Sequence, residues 1–223
     1  MQPEITEIIR TKRKTISLVI NTKGELIVRA PLQTPMTYIE DLVQKKAAWI
    51  TKKQEEMTKR NSRYCVREFG EGAEVLYLGV PLRLQYDRKI QEVTCIDGRL
   101  VIPWEIADKK LAVVTWYRTQ ARQVIGERLT YFASLTGLQY RSFNVTGAAR
   151  RWGSCSSKGS VNFSWRLVMC PLPAIDYVIV HELCHLEHLN HSKDFWQKVK
   201  HVLPDYAEQR KWLADNQKLM DMI

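Results

Sequence analysis

The chain has 223 residues, 45% of them hydrophobic, with 34 Lys plus Arg against 24 Asp plus Glu, a formal charge of +10, and five Cys without a C-x-x-C spacing. That composition supports a folded core and excludes disorder, collagen-like repeats, a disulfide framework and a thiolate zinc knuckle. No apolar run approaches the ~20 residues of a bilayer span, and the start Met1-Gln2-Pro3-Glu4 lacks the basic and apolar regions of a secretory signal, so a cytoplasmic location is expected.

Residues 14 to 30 read as a hairpin, KTISLVI and ELIVRA around the turn Asn21-Thr22-Lys23-Gly24. Thr34-Pro35 then predicts a helix start, with Thr as N-cap and Pro at the first helical position, and Ile39, Leu42, Val43 and Ile50 carry the apolar face to about Arg60. Lys45, Lys46, Lys52, Lys53, Lys59 and Arg60 form a charged opposite face. From Tyr64 to Pro103 come EVLYLG, VPLRLQY, EVTCI and RLVIP, punctuated by Gly79, Pro81 and Asp97-Gly98, which read as a β-meander. A long helix is expected from about Ala107 to Leu135, with Leu111, Val114, Ala121, Val124, Ile125, Leu129, Phe132 and Leu135 on its apolar side and Gly137 as its stop. A domain boundary is placed near Pro103, giving a β-rich domain 1–103 with one long helix and a second domain 104–223.

Beyond that helix, SFNVT (142 to 146) and VNFSWRLVM (161 to 169) read as strands joined by a Gly- and Ser-rich loop. A helix is expected from Ala174 to about Leu189, a shorter one after Ser192 and a last one after Pro204-Asp205. The stretch 141 to 170 holds five basic residues and no acidic one. Within it Arg150, Arg151, Lys158 and Arg166 are candidates for an anionic substrate or a developing oxyanion. Trp152 and Trp165 read as packing residues, and so does Cys184. Cys155 lacks an indicated base partner, so it reads as an ordinary loop thiol.

All five histidines lie between His181 and His201, and the string His181-Glu182-Leu183-Cys184-His185 is an HExxH inside a predicted helix. Residues four apart share a helix face, so both imidazoles reach one ion, and Glu182 beside them is placed to take a proton from water there. Zinc suits neutral imidazole ligands and a catalytic site with an open position, one ion per chain. His188 and His191 compete as third ligand. On a straight helix His188 would lie ~10 Å along the axis from His181, too far to converge on one ion. Asn190 could end the helix in a left-handed turn and swing His191 onto the metal, leaving His188 either behind the ligands, supporting them, or on the substrate side. Asp194, Asp205 or Glu208 is the carboxylate alternative. Tyr177 and Tyr206 are possible oxyanion donors.

The runs RRWGSCSSKGSVNFSWRL and IDYVIVHELCHLEHLNHSKDFW, then PDY and a terminal helix with Trp212, resemble the YgjP-like metallopeptidase family, a zincin group related to the SprT-like and WLM proteases. KTISLVI, VRAP, KAAWI and YLG resemble it too, so the likeness spans nearly the whole chain. It implies an α+β fold: a β-rich N-terminal half, then a zincin-like catalytic domain whose HExxH helix lies beside a small antiparallel sheet. It also implies His181, His185 and His191 as zinc ligands, Glu182 as catalytic base, and Gly159 to Arg166 as the substrate-facing strand. His188 stands where the metzincin pattern has Gly, and no Met-turn follows.

The leading expectation is a zinc-dependent peptidase acting on polypeptides. One alternative keeps the metal and hydrolyses a nucleoside triphosphate, motivated by the acid-free basic stretch, although no Walker-type loop accompanies it. Another is a metal-stabilised module binding nucleic acid through the +10 charge. No membrane partner is expected.

Overall fold

The computed structural model describes residues 3–21, 24–64 and 69–223, with the side chains of 56–64 left outside that description. Thr22 and Lys23 of the first turn, Cys65, and the side chains of Lys59 and Arg60 therefore lie outside the described residues. The chain divides into two compact units, Met1–Cys65 and Val66–Ile223. The boundary expected near Pro103 falls inside the second unit.

In the first unit β2 (Ser17–Ile20) and β3 (Leu26–Pro31) form the expected antiparallel hairpin. A strand that the sequence did not announce, β1 (Ile5–Thr11), runs parallel to β3 on its other side. Helix α1 (Met36–Lys45) starts one residue after Pro35, which itself holds the N-cap position without a side-chain hydrogen bond, so Thr34 is not the cap. The single long helix expected here is two: the Lys46 N–H is shared between the carbonyls of Leu42 and Val43, and α2 (Ala47–Tyr64) follows. Ile39, Val43 and Ile50 bury against Leu26, Val28 and Ala30 of β3, as the apolar spacing requires.

The second unit opens with a four-stranded sheet, β4 (Glu74–Tyr77), β5 (Val80–Asp87), β6 (Thr94–Ile96) and β7 (Arg99–Pro103), in the order β4-β5-β7-β6. It is not a meander, because β5 and β7 pair in parallel and β6 lies outside β7. Leu100, Val101 and Ile102 are buried in succession, so β7 needs cover on both faces and takes an inner position. Two tight hairpins serve this sheet. Leu78-Gly79 and Asp97-Gly98 all have positive φ, the two-residue turn geometry that matches strand twist. The first hairpin ties the sheet to the rest of the unit: Leu78 N–H donates to the Val168 carbonyl and Gly79 N–H to that of Met169.

Helix α3 (Lys109–Thr136) begins at Asp108, whose carboxylate accepts from the Leu111 N–H at 2.8 Å, and ends at Gly137 as expected. Its buried stripe is Val113, Tyr117, Ala121, Ile125, Leu129 and Phe132. Leu111 and Leu135, placed on that stripe by the sequence, are about 60% exposed at the two ends of the helix. Tyr117 is fully buried and its hydroxyl donates to the Leu76 carbonyl of β4.

Strand β8 (Ser142–Thr146) is where the sequence put it, but VNFSWRLVM is only half strand: β10 (Ser160–Ser164) gives way to a 3-10 helix over Trp165–Met169. Between them lies β9 (Gly153–Cys155), read from the sequence as loop. The order is β8-β10-β9, with β8 parallel and β9 antiparallel to β10, so the sheet is mixed. Helix α4 (Leu172–Cys184) is buried along most of its length and is braced to α3 by a two-pronged Arg128–Asp176 ion pair at 2.6 and 2.7 Å. Helices α5 (Lys193–Val202), capped by Ser192, and α6 (Tyr206–Asp215) complete the unit. The α+β fold class stands. Among the described residues no helix is long and apolar enough to cross a membrane.

Candidate metal centre

Helix α4 ends earlier than its periodicity predicts. His185 is its C-cap, and the carbonyls of Leu183 and Cys184 are taken by the N–H groups of Leu186, Glu187 and His188 in a tight turn. Among the described residues the only non-glycine positive φ angles are at Leu78 and Asp97, so a left-handed Asn190 is not what turns the chain. The turn is anchored by Lys198 of α5 pairing with Glu187.

This early stop returns His191 to the helix. His185 Nε2 lies 3.2 Å and His191 Nε2 3.0 Å from His181 Nε2, and ligand atoms of all three residues fall within 4.8 Å of one another. Two imidazole nitrogens bound at about 2.0–2.1 Å to one tetrahedral zinc ion are separated by roughly 3.3 Å. The cluster therefore fits a cation. Burial, and then the neighbouring His185, His191 and Arg210, hold His181 down at about 3, which keeps it neutral. A neutral ring is the form that offers a lone pair to a metal.

His188 takes part through its backbone. Its carbonyl lies 2.9 Å from His185 Nδ1, which places the proton on Nδ1 and frees Nε2 toward the cluster. The His188 ring lies outside the cluster, 4.0 Å from the Glu187 carboxylate. The carboxylate alternatives Asp194, Asp205 and Glu208 are not in the cluster. Asp205 instead accepts from Gln209 on α6.

Glu182 is 6% exposed and its carboxyl is raised to about 7, chiefly by burial, with Arg151 pulling in the opposite direction. With His181, Tyr177, Trp152 and Arg210 it lines a cavity of about 270 Å³. Gly153 of β9 is pressed against it: a Cβ there would sit 2.7 Å from both Cγ and Oε1 of Glu182. β9 is the edge strand beside α4, and the expected substrate-facing segment Gly159 to Arg166 is not available for that role, since β10 is paired on both sides.

The basic candidates disperse. Arg151 is close enough to influence Glu182. Lys158 is exposed in the turn between β9 and β10. Arg150 is exposed as well, and Arg166 donates to the carbonyls of Gly147 and Ile223 while packing over Trp165. None of the four lines the Glu182 cavity. Trp152 and Trp165 are buried, as packing residues should be, and Cys184 is buried too. Three features went unread in the sequence: Gly153, Arg210, and the aromatic wall where His191 stacks on Trp196 and Trp196 on Tyr206. Gly153 carried a signal, as a glycine in a short strand marks close approach. A lone Arg on the last helix carried none. A larger cavity of about 930 Å³, between β6 and the start of α3, is lined by none of these residues.

A family model described as "YgjP-like, metallopeptidase domain" matches residues 14–216. No curated protein is significantly similar to the chain. Among solved structures, the crystal structure of the metallopeptidase zymogen of Pyrococcus abyssi abylysin is similar at 21% identity and a TM-score of 0.38, covering 42% of this chain and 95% of that one.

Proposed function

The chain belongs to the YgjP-like metallopeptidase family, and from that premise we propose a zinc-dependent peptidase in which His181, His185 and His191 hold the ion and Glu182 is the general base. The observation that carries this reading is a buried carboxyl sharing one cavity with His181, whose ring nitrogen meets those of two more histidines. A divalent ion, when bound, supplies Lewis-acid polarisation of the scissile carbonyl and acidifies water. Glu182 takes the proton of the attacking water and passes it to the leaving amine. Its raised pKa suits both tasks, because a carboxyl near neutrality gives and takes protons with little penalty. The outer edge of β9 offers backbone groups to an extended polypeptide.

Zinc-loaded protein incubated with an unfolded polypeptide should release new amino termini, and chelation should stop it. No new termini at any metal loading would overturn the reading. The nucleoside triphosphate alternative loses its motivation, since the basic residues that suggested it do not line the cavity of Glu182. The nucleic-acid module rests on the overall charge of +10, to which the geometry of the histidine cluster and the Glu182 cavity adds nothing.

The contact of Gly153 with Glu182 gives a sharper test. A methyl at 2.7 Å from Cγ and Oε1 forces the Glu182 side chain and β9 apart, and a misplacement of about 1 Å at a reacting group costs on the order of 10²-fold in rate. Gly153→Ala should therefore lower kcat by about that factor with zinc content unchanged. Wild-type kcat in this variant would show that Glu182 does not need its position.

A further inference from the structure

Beside the Glu182 cavity lies a second one, about 370 Å³, lined by Lys193, Trp196, Gln197, Lys200, Tyr206 and Arg210. Three cations from α5 and α6 face it and no acid does. Among the described residues no carboxylate lies within 4.0 Å of Lys193, Lys200 or Arg210. The Arg210 guanidinium carbon lies over the Trp196 ring, 4.7 Å from its centroid, a cation–π contact that holds the charge at the cavity. Trp196 in turn stacks on His191 and on Tyr206, so the aromatic floor is continuous with the metal-binding cluster. Arg210 also lines the cavity of His181 and Glu182. The two cavities are thus neighbours across one side chain.

We infer that this cavity is a subsite for a carboxylate of the substrate, close to the bond cleaved. The inference rests on the peptidase reading above and adds a specificity to it. The Trp196 ring centroid lies 5.5 Å from that of His191 and 4.7 Å from the Arg210 guanidinium carbon, so Arg210 is within about 10 Å of the cluster, and at about 3.3 Å per extended residue its carboxylate partner belongs to a residue within about three of that bond. It comes either from an Asp or Glu side chain or from the free C-terminus of a short peptide. Both present the planar pair of oxygens that a guanidinium binds two-pronged, with the two lysines adding charge. Because all three cations are exposed, the effect is about tenfold rather than several orders of magnitude, and salt weakens it.

The test is equilibrium binding to zinc-loaded full-length Glu182→Gln protein, which keeps the peptides intact. The probes are acetylated hexapeptides of neutral residues, with one Glu or one Gln moved through each position and the C-terminus free or amidated. A tenfold gain for Glu at one or two neighbouring positions identifies a side chain as the source; a tenfold loss on amidation identifies the terminus. Either preference should vanish in Lys193→Glu with Lys200→Glu, shrink partway in the milder Lys193→Gln with Lys200→Gln, and diminish as salt rises. Equal binding of all peptides, binding of none, or a preference that survives both double variants would overturn the subsite. A wild type that cleaves peptides without any carboxylate preference removes the subsite alone. One that shows the binding preference but generates no new amino termini removes the peptidase reading and leaves a carboxylate site.

Discussion

Replacing Glu182 by Gln should leave zinc content at that of the wild type and lower peptide hydrolysis by roughly 10²- to 10⁴-fold, the contribution of a positioned acid–base group. The amide keeps the size of the side chain in its contact with Gly153 but cannot accept the proton. The same substitution should make the metal-free protein more stable. The carboxyl is raised from 4.5 to about 7 mainly by burial, so the folded chain holds a proton that the unfolded chain releases. Below pH 4.5 both states are protonated and the group costs nothing; the cost grows between 4.5 and 7 and is complete above 7. A shift of that size corresponds to at most about 3 kcal/mol, and a neutral amide escapes it. Denaturant unfolding of both metal-free proteins at pH 5 and pH 8 checks this. The gain should be small at the lower pH and on the order of 1–3 kcal/mol at the higher. A variant that hydrolyses peptide at the wild-type rate would end the assignment of Glu182 as base, whatever its stability.

The second large effect separates two histidines three residues apart. His191→Ala removes one of three converging nitrogens, and zinc affinity should fall by well over the roughly 10²-fold that loss of a partner behind a ligand causes. Activity at limiting zinc should go with it. His188→Ala should keep zinc affinity within a few-fold, because the contact that His188 makes to the cluster is its carbonyl, which Ala also supplies to His185 Nδ1. Competition with a zinc-chelating dye measures both. Equal losses would mean that the His188 ring, and not its backbone, supports the site. An undiminished affinity in His191→Ala would remove it from the ligand set.

That contrast shows where the sequence is informative. The pairing of His181 with His185 follows from helical geometry alone. Rejecting His188 as third ligand followed from the rise per residue. The return of His191 is not legible in the same way, since Asn190 is not left-handed and nothing in the residues from Leu186 to Leu189 marks His185 as the last cap. The stop is held by a tertiary partner, Lys198 of α5 pairing with Glu187, and the His185 ring closes the turn locally on the His188 carbonyl. β9 was illegible for a related reason. Gly153-Ser154-Cys155 has no strand composition, and it is extended because β10 pairs with it. β1 was missed because Ile5, Ile8 and Ile9 fit helical spacing as well as strand spacing. The four strands of the middle sheet were legible one by one, but their order was not. Strand order depends on which run needs cover on both faces, and that is a property of the assembled unit.

The two tight hairpins of that sheet share one backbone solution and live under different constraints. At Gly98 an added Cβ meets open space within 4 Å, whereas at Gly79 it would come 2.9 Å from Cγ and 3.1 Å from Cα of Pro171, the residue that caps α4. Leu78-Gly79 is thus a rivet driven into the foot of the helix that carries the histidines, with its length and composition fixed by what it fastens. Asp97-Gly98 has no such duty. Drift, insertion or a grafted label can accumulate at one end of the sheet while the other end stays tied to the chemistry.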